Sequence, residues 1–288
     1  MVLQIVFART RYEYRSYSDL WRLVELSEFP ICRVDEIDLA QDTLYVTAPV
    51  NGELRPHIAH RRSILKGAPR ARIVWWNLER PDSGRWTLAN IGIGASNDVE
   101  EILNWVDAVW ASDRWFASLD GRMLYVPLGS HRGLAGTVPP RGAFEWDLAH
   151  LSYITSRREM IYRALEPAVR LAPNAWPPER ERVLSRSRAM LNIHQTPAPI
   201  AEPLRFAIAA AHAIPLLTET LADPWPLVPG EHCLMASHGA IAKRVVEWLQ
   251  GGSLEALGGN LARLLCDERP FRRGVEEAAK ITCERIAS

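Results

Sequence analysis

Five polar side chains in residues 189–219 stand where predicted strands and helices begin or end: Asn192, His194, Glu202, Arg205 and Glu219. Arginine neutralises phosphate, a carboxylate accepts hydrogen bonds from ribose or sugar hydroxyls, and histidine exchanges protons near neutral pH. Together these residue types favour recognition of a phosphorylated sugar or nucleotide. A local Glu202–Arg205 ion pair and a structural histidine are the simpler alternatives.

The elements that must position these residues alternate between strand and helix. Residues 190–193 form a short apolar strand, a proline-containing loop leads into an Ala-rich helix, and residues 214–218 form a second strand. Ligands of open α/β sheets lie outside the carboxyl ends of strands and at helix N-termini. We therefore expect the five polar residues to lie along one edge of a sheet.

A second phosphate-binding segment is predicted between a strand at 151–155 and a helix at 158–165. Ser156, Arg157 and Arg158 lie there. Hydroxyls and backbone amides can surround a diphosphate, and we expect Arg157 or Arg158 to neutralise it. A solvent-exposed arginine pair is the alternative, although positive charge at a helix N-terminus is unfavourable without an anion.

The pattern of residues 189–219 resembles the C-terminal domain of group-1-like glycosyltransferases with the B-type architecture (GT-B). The matching residues are Leu191, Asn192, His194, Arg205, Pro215, Thr218 and Glu219. Two positions depart from the pattern: Ile208 replaces an acidic residue and Ala213 replaces a glycine. Because that acidic residue commonly holds the donor in the family, two alternatives are open: Glu202, three residues before Arg205, replaces it, or the donor is held differently.

The resemblance implies an α/β protein with two Rossmann-like domains whose parallel sheets face each other across a cleft. The repeated strand–helix rhythm of both halves of the chain agrees with parallel sheets. The expected domains are an acceptor domain at 1–135 and a donor domain at 143–270, because a Gly- and Pro-rich stretch separates the two halves. A helix at 271–288 is expected to cross back to the first domain.

The resemblance also implies a hexosyltransferase-like activity on a nucleotide-sugar, with a UDP-sugar as the first expectation. The nucleotide-sugar is a co-substrate, and neither a cofactor nor a metal is expected, because the sequence lacks a convincing Asp-x-Asp motif. Trp176 is a candidate for stacking on the nucleobase, although packing is the commoner role of tryptophan. In this interpretation the donor-binding residues are Ser156, Arg157, Arg158, Trp176, Asn192, His194, Glu202, Arg205 and Glu219.

An acceptor surface is predicted in the loop after the first strand, which interleaves arginine and tyrosine. Its candidate residues are Arg11, Tyr12, Tyr14 and Arg15. Arginine binds phosphates and tyrosine stacks on bases, so a DNA acceptor with a hydroxymethylated base is one hypothesis, as in phage-type enzymes. A sugar or a phosphorylated lipid head group is the other. The chain's net charge of zero provides no global attraction to nucleic acid.

Two carboxylates are candidates for the catalytic base that deprotonates the acceptor hydroxyl. Asp19 follows the first strand, and Glu79 follows the most apolar strand of the first half. A helix N-cap is the structural alternative for Asp19. The sugar, the nucleotide, the stereochemical course and the oligomeric state stay open at this point.

Two other functional classes fit the same fold. One is a sugar-nucleotide epimerase, and the other is a non-catalytic protein that binds nucleotide-sugars, which the replacement at Ile208 favours. The four cysteines are scattered along the chain without metal-ligand spacing, and no segment reaches the roughly 20 apolar residues of a membrane span. A reduced, cytoplasmic protein without a membrane span is the expectation.

Overall fold

Short runs of apolar residues form the strands of two separate parallel sheets, one in each unit of the chain. The computed structural model describes residues 4–9, 17–48, 58–60, 63, 69–78, 81–82, 85–86, 102–136, 143–251 and 254–287. Unit 1 consists of Met1–Leu128 together with Phe271–Ser288, and unit 2 is Gly129–Pro270. In the described ranges, no helix is long and apolar enough to cross a membrane.

Unit 1 is built on a six-stranded parallel sheet with the order β2-β1-β3-β4-β7-β8. Its strands are β1 (Gln4–Arg9), β2 (Ile31–Arg33), β3 (Thr43–Thr47), β4 (Arg72–Asn77), β7 (Ala108–Ala111) and β8 (Met123–Tyr125). Strands β5 (Pro81–Asp82) and β6 (Arg85–Trp86) form a separate antiparallel pair. The continuous apolar sequence of β4 fits its central place, because a parallel strand covered on both faces needs no polar alternation.

The helices of unit 1 include α1 (Ser18–Leu26), α2 (Arg114–Ala117) and α8 (Phe271–Ala287), and Val34–Glu36 forms a 3-10 helix. Helix α8 contributes to the core although it is the last element of the chain. Phe271 is almost fully buried and packs near the rings of Phe7, Phe29 and Trp76, with centroid distances of 6.0, 6.3 and 5.8 Å. The indole nitrogen of Trp110 donates to the Thr282 hydroxyl at 2.8 Å.

Unit 2 contains a four-stranded parallel sheet with the order β12-β11-β10-β9. Its strands are β9 (Trp146–Ala149), β10 (Ser187–Asn192), β11 (Leu216–Glu219) and β12 (Cys233–Ala236). Its helices are α3 (Ser156–Leu165), α4 (Glu179–Ser185), α5 (Pro203–Ala211), α6 (His238–Gln250) and α7 (Glu255–Ala262), the last continued by a π-helical stretch, Arg263–Glu268. The predicted α/β class with two parallel-sheet, Rossmann-like halves is confirmed.

The predicted strand at 151–155 is wrong. The first strand of unit 2 is β9, which ends at Ala149, and residues 151–155 form the loop between β9 and α3. Tyr153 and Ile154 are both exposed, so their apolar character does not serve a sheet. Residues of β9 instead pair with the buried strand β10, which explains why the strand forms earlier in the chain.

Each sheet contains a topological switch point, where consecutive connections leave a strand in opposite directions. In unit 1 the chain passes from β1 to β2 on one side and then to β3 on the other. In unit 2 it passes from β9 to a parallel bridge at Leu171 and then to β10. Ligands of such sheets bind beside the carboxyl ends of the two strands that flank the switch point. Ligand-binding residues are therefore expected at these edges of the two sheets.

Candidate functional site

The carboxylate of Glu219, at the end of β11, is the centre of a hydrogen-bond network in unit 2. Its Oε1 atom accepts from Arg157 Nη2 at 2.5 Å and lies 3.1 Å from His238 Nδ1. Its Oε2 atom accepts from Arg157 Nη1 and from the backbone amide of His194, both at 2.6 Å. Burial alone would raise the pKa of Glu219, but the hydrogen bonds from Arg157 and His194 outweigh burial and lower it. Glu219 thus stays ionised and orients the groups around it.

Arg158 is fully buried beside this network and supports the loop between β9 and α3. Its Nε donates to the carbonyl oxygen of Ile193 at 2.8 Å, and its Nη1 donates to that of Tyr153 at 3.0 Å. Its Nη2 donates to Glu202 Oε1 at 3.1 Å. Because no part of its side chain reaches the surface, Arg158 is a positioning residue. Of the two arginines proposed for phosphate binding here, Arg157 is the one with exposed surface.

Arg205 lies at the start of α5, next to the carboxyl end of β10. Its Nη1 donates to Asn192 Oδ1 at 2.7 Å and to Glu202 Oε2 at 2.8 Å. Asn192 is completely buried, and its amide nitrogen donates to the Thr218 hydroxyl at 3.1 Å. This amide is therefore fixed with its oxygen toward the guanidinium. Both Arg157 and Arg205 keep 17% of their side chains exposed.

The charges of this network do not cancel. Three arginines, at positions 157, 158 and 205, face two carboxylates, those of Glu202 and Glu219. The sum is one net positive charge at the carboxyl edge of a parallel sheet. Such an edge attracts an anion, and the two partly exposed arginines can donate to it in a bidentate manner.

His194 lies inside the network rather than at its surface. Its side chain is almost fully buried, with Nδ1 3.9 Å from Glu202 Oε2 and Nε2 3.4 Å from the carbonyl oxygen of Thr220. Its backbone carbonyl accepts from Arg157 Nη1 at 2.8 Å. His194 therefore connects the Glu219 and Glu202 halves of the network through both its backbone and its ring.

Two further histidines lie in this region, and neither was predicted from the sequence. His150 follows β9 directly, at the switch point, and its ring stacks on Tyr162 at 4.5 Å. Burial, together with the positive charges of Arg205 and Arg158, lowers the pKa of His150 to about 4. His238 begins α6 and contacts Glu219 as described above. Their common signal is a histidine just after a strand, which requires correct strand boundaries to be noticed.

The remaining predicted donor-binding residues lie on the same side of unit 2 as the β9–α3 loop. Ser156 is exposed at the first position of α3, where Thr155 provides the N-cap. Trp176 is partly buried, and its ring lies 5.5 Å from that of Tyr153. Since the Tyr153 carbonyl is held by Arg158, the aromatic pair is attached to the charged network.

In unit 1, only one predicted catalytic residue is described. Asp19 is buried in the first turn of α1, the first helix after the switch-point strand β1. It is not the N-cap of that helix, because Tyr17 occupies that position. Glu79 lies outside the described residues.

The predicted acceptor loop cannot be placed either. Arg11, Tyr12, Tyr14 and Arg15 are likewise outside the part of the chain that the structure describes. Elsewhere in the described ranges, no group of three or more His, Cys, Asp or Glu side chains is arranged to hold a metal ion.

Comparison with known proteins gives structural relatives only. No family model and no curated protein matches the chain. Among solved structures, HepE from Anabaena in complex with UDP has a TM-score of 0.59 at 11% identity, over 96% of this chain and 100% of HepE. The DNA modifying enzyme β-glucosyltransferase has a TM-score of 0.54 at 10% identity, over 97% of this chain and 99% of that one. The chain has a GT-B glycosyltransferase fold.

TarM shows the same GT-B fold within a longer protein. Its TM-score is 0.56 at 9% identity, and the match covers 92% of this chain but only 57% of TarM. Identities this low describe the course of the backbone. The roles of individual side chains in this GT-B chain therefore have to be argued from their own contacts.

The two departures from the GT-B sequence pattern have clear structural settings. Ile208 is buried in α5, so an apolar side chain occupies the position of the expected acidic residue. Ala213, in place of the expected glycine, has a φ of 47°, in the left-handed region that glycine adopts most readily. A Cβ atom added to Gly258 would lie 2.1 Å from the Ala213 carbonyl oxygen, so α7 packs directly on this turn.

Proposed function

We propose that this protein is a glycosyltransferase that transfers a sugar from a nucleotide-sugar, most simply a UDP-sugar, to an acceptor hydroxyl. The observation that carries this proposal is the positively charged network around Arg157, Glu219 and Arg205. It lies at the switch-point edge of unit 2, in a fold shared with nucleotide-sugar enzymes. The proposed function assigns the donor to unit 2 and the acceptor to unit 1.

The donor's diphosphate would be bound by Arg157 and Arg205. Each keeps part of its side chain exposed, while its guanidinium is bonded to Glu219 in the case of Arg157 and to Glu202 in the case of Arg205. When the bond between the sugar C1 atom and the phosphate oxygen breaks, the electron pair goes to the nucleoside diphosphate. Fixed arginines stabilise the developing negative charge and so lower the barrier. Trp176 is the proposed stacking partner of the nucleobase.

The acceptor hydroxyl would lose its proton to Asp19, with Glu79 as the alternative base. Its oxygen then forms the new bond to C1, while the nucleoside diphosphate leaves. A carboxyl group in the first turn of the helix that follows a switch-point strand suits this role, because the parallel-sheet edge is where substrates bind. Asp19→Asn should therefore lower kcat by a factor of about 100 or more without weakening donor binding.

We further propose that arginine charge, rather than a divalent metal, balances the leaving group. Activity should then be unchanged by EDTA. A loss of activity in EDTA that Mn²⁺ or Mg²⁺ restores would contradict this part of the proposal.

The first test is thermal stabilisation of the protein by UDP-, GDP-, ADP- and dTDP-sugars. Free donor at 100 times its dissociation constant should stabilise the fold by about 2.7 kcal/mol. Arg205→Ala should remove the stabilisation, whereas Arg163→Ala should keep it, because Arg163 is 73% exposed and pairs only with Glu159 on the surface of α3. Stabilisation by none of the four, or equal stabilisation in all three proteins, would sink the donor assignment.

An acceptor screen follows if a donor is found. Hydroxymethylated DNA is included because a structural relative is a DNA modifying enzyme, and simple sugars and a phosphorylated lipid head group are included beside it. Transfer to any of these supports the proposal. Exchange of solvent deuterium into the donor sugar without an acceptor would instead identify an epimerase. A protein that binds the donor but does not transfer the sugar, hydrolyse the donor slowly or exchange deuterium into it would be a non-catalytic binding protein.

A further inference from the structure

His238 has no place in the proposed mechanism, yet it shares a carboxylate with Arg157. His238 Nδ1 and Arg157 Nη2 both contact the same oxygen atom, Oε1 of Glu219, at 3.1 and 2.5 Å. Glu219 is at the end of β11, and His238 is the first residue of α6, which follows β12. Two neighbouring strands thus deliver both residues to the edge where the donor phosphate is proposed to bind.

The contact with Glu219 fixes how the imidazole is used. Glu219 is ionised and can only accept hydrogen bonds, so the proton of the neutral ring must be on Nδ1. A carboxylate in this place holds the imidazole in one tautomer and one orientation, with Nε2 on the opposite side of the ring. In the described part of the chain, Nε2 has no hydrogen-bond partner, and the His238 side chain is partly exposed.

Stability of α6 does not explain a histidine at this position. Helix N-termini favour acidic residues and disfavour positive charge, and the N-cap Ser237 makes no side-chain capping bond. The side chain is also 29% exposed, so it contributes little to a core. An oriented, accessible ring nitrogen next to a partly exposed arginine is the arrangement of a ligand-binding residue.

We propose that His238 is a further donor-binding residue, whose Nε2 atom binds a phosphate oxygen of the nucleotide beside Arg157. This inference rests on the proposed function and extends it, because it names a second phosphate-binding residue on a different element. The ligand group is an anionic phosphate rather than a sugar hydroxyl, because the surrounding network carries a net positive charge. With Nδ1 bonded to Glu219, the protonated ring donates from Nε2 to that oxygen, whereas the neutral ring accepts at Nε2 from a phosphate-bound water.

The test compares nucleoside, monophosphate and diphosphate binding by calorimetry, using uridine, UMP and UDP, or the matching series of the nucleotide that the wild type prefers. His238→Asn places an amide nitrogen near Nδ1 and so can keep the bond to Glu219 while removing Nε2. His238→Gln places its amide nearer to the position of Nε2. Lys243→Gln is the control, because Lys243 lies on the same helix and is 83% exposed.

We expect His238→Asn to bind the diphosphate at least tenfold more weakly, with nucleoside affinity within twofold of wild type. His238→Gln should recover part of the loss, and Lys243→Gln should match the wild type throughout. If the wild type binds a diphosphate but His238→Asn binds it equally well, the His238 inference alone fails. An equal loss for nucleoside and diphosphate would indicate a structural role and also overturn it. If the wild type binds no nucleotide, the proposed function fails and the inference fails with it.

Discussion

The carboxylate of Glu219 is surrounded by hydrogen-bond donors of the protein itself. It contacts Arg157 twice, the backbone of His194 once and the ring of His238 once. One buried acidic residue thus holds three others in place. Truncating one partner of a buried charge cluster is costly because the opposite charge is left without compensation.

Glu219→Gln should therefore destabilise the protein by about 3 kcal/mol or more, since Arg157 loses its counter-charge. Chemical denaturation of the purified variant measures this change in the free energy of unfolding. Glu159→Gln is the control, because it disrupts an exposed pair with Arg163 on α3 and should cost less than about 0.5 kcal/mol. Equal effects in the two variants would contradict the central position of Glu219.

His150 should make stability depend on pH. The pKa of His150 is about 4 in the folded protein and 6.5 in an ordinary histidine. Between these two pH values the residue is protonated in the unfolded chain but neutral in the folded protein. The contribution of His150 to the free energy of unfolding is therefore fully present above pH 6.5. It is lost as the pH falls toward 4, and the total loss is about 3 kcal/mol.

Chemical denaturation between pH 7 and pH 4.5 tests this contribution. His150→Gln should reduce the loss of stability across that range, because it removes the titrating ring, even if the variant is less stable at pH 7. His60→Gln is the control, since His60 is exposed and should leave the pH dependence unchanged. Identical slopes for wild type and His150→Gln would show that the ring is not excluded from protonation in the fold.

The residues most visible in the sequence were those carried by strong local patterns. Asn192, Glu202 and Arg205 stand at the ends of an apolar strand and an Ala-rich helix, and the structure brings them into contact. His150 and His238 were missed, because their partners are distant in sequence. A lone histidine has no periodicity, and its importance depends on which strand ends beside it.

At the scale of elements, the turn between α5 and β11 controls a close contact with α7. Ala213 has a left-handed backbone, and its carbonyl oxygen leaves no room for a side chain on Gly258. The contact explains the glycine at position 258, whereas nothing lies within 4 Å of a Cβ atom added to the adjacent Gly259. The sequence pattern had marked position 213 as a usual glycine without giving this reason.

Ala213→Gly should stabilise the protein by about 1 kcal/mol, because the left-handed region costs a residue with a Cβ atom roughly 1–2 kcal/mol and glycine loses some of this gain to backbone entropy. Thermal denaturation measures the shift. Ala211→Gly, within the last turn of α5, should destabilise by up to about 1 kcal/mol and serves as the control for glycine entropy. A destabilised Ala213→Gly protein would contradict the strain at this turn.

Gly258→Ala, in contrast, should destabilise the protein. The added methyl would lie 2.1 Å from a backbone oxygen that has no rotamer to move to, so about 1–3 kcal/mol of overpacking is expected. Gly259→Ala is the matched control, because nothing lies within 4 Å of its added Cβ and a helix gains from alanine. Equal melting temperatures for the two variants would rule out the close contact.

Element boundaries were predicted less well than element types. The apolar residues at 151–155 favoured a strand. A strand also needs another strand to pair with, and β10 pairs with β9 instead. Strand β12 was missed because Cys233–Ala236 is short and preceded by a proline-rich loop. Pairing between strands depends on tertiary contacts, so the sequence of a single short segment does not predict it.

At the scale of the whole molecule, unit 1 depends on a helix from the other end of the chain. Phe271→Ala should destabilise unit 1 by about 3–5 kcal/mol, because the ring is almost fully buried among Phe7, Phe29 and Trp76. Hydrogen exchange of peptides from β1 and β4 measures the loss of protection. Ile281→Ala, on an exposed position of the same helix, should leave that protection unchanged. Full protection in Phe271→Ala would contradict this dependence.

The same arrangement has a consequence for biosynthesis. The ribosome makes residues 1–128 first, and it makes the helix that completes their core only after the whole of unit 2. At roughly 5–20 residues per second, the nascent first unit waits on the order of ten seconds for its final element. During that interval its aromatic core lacks Phe271, so the protein's yield in a cell should be unusually sensitive to chaperone supply and to any truncation that removes this residue.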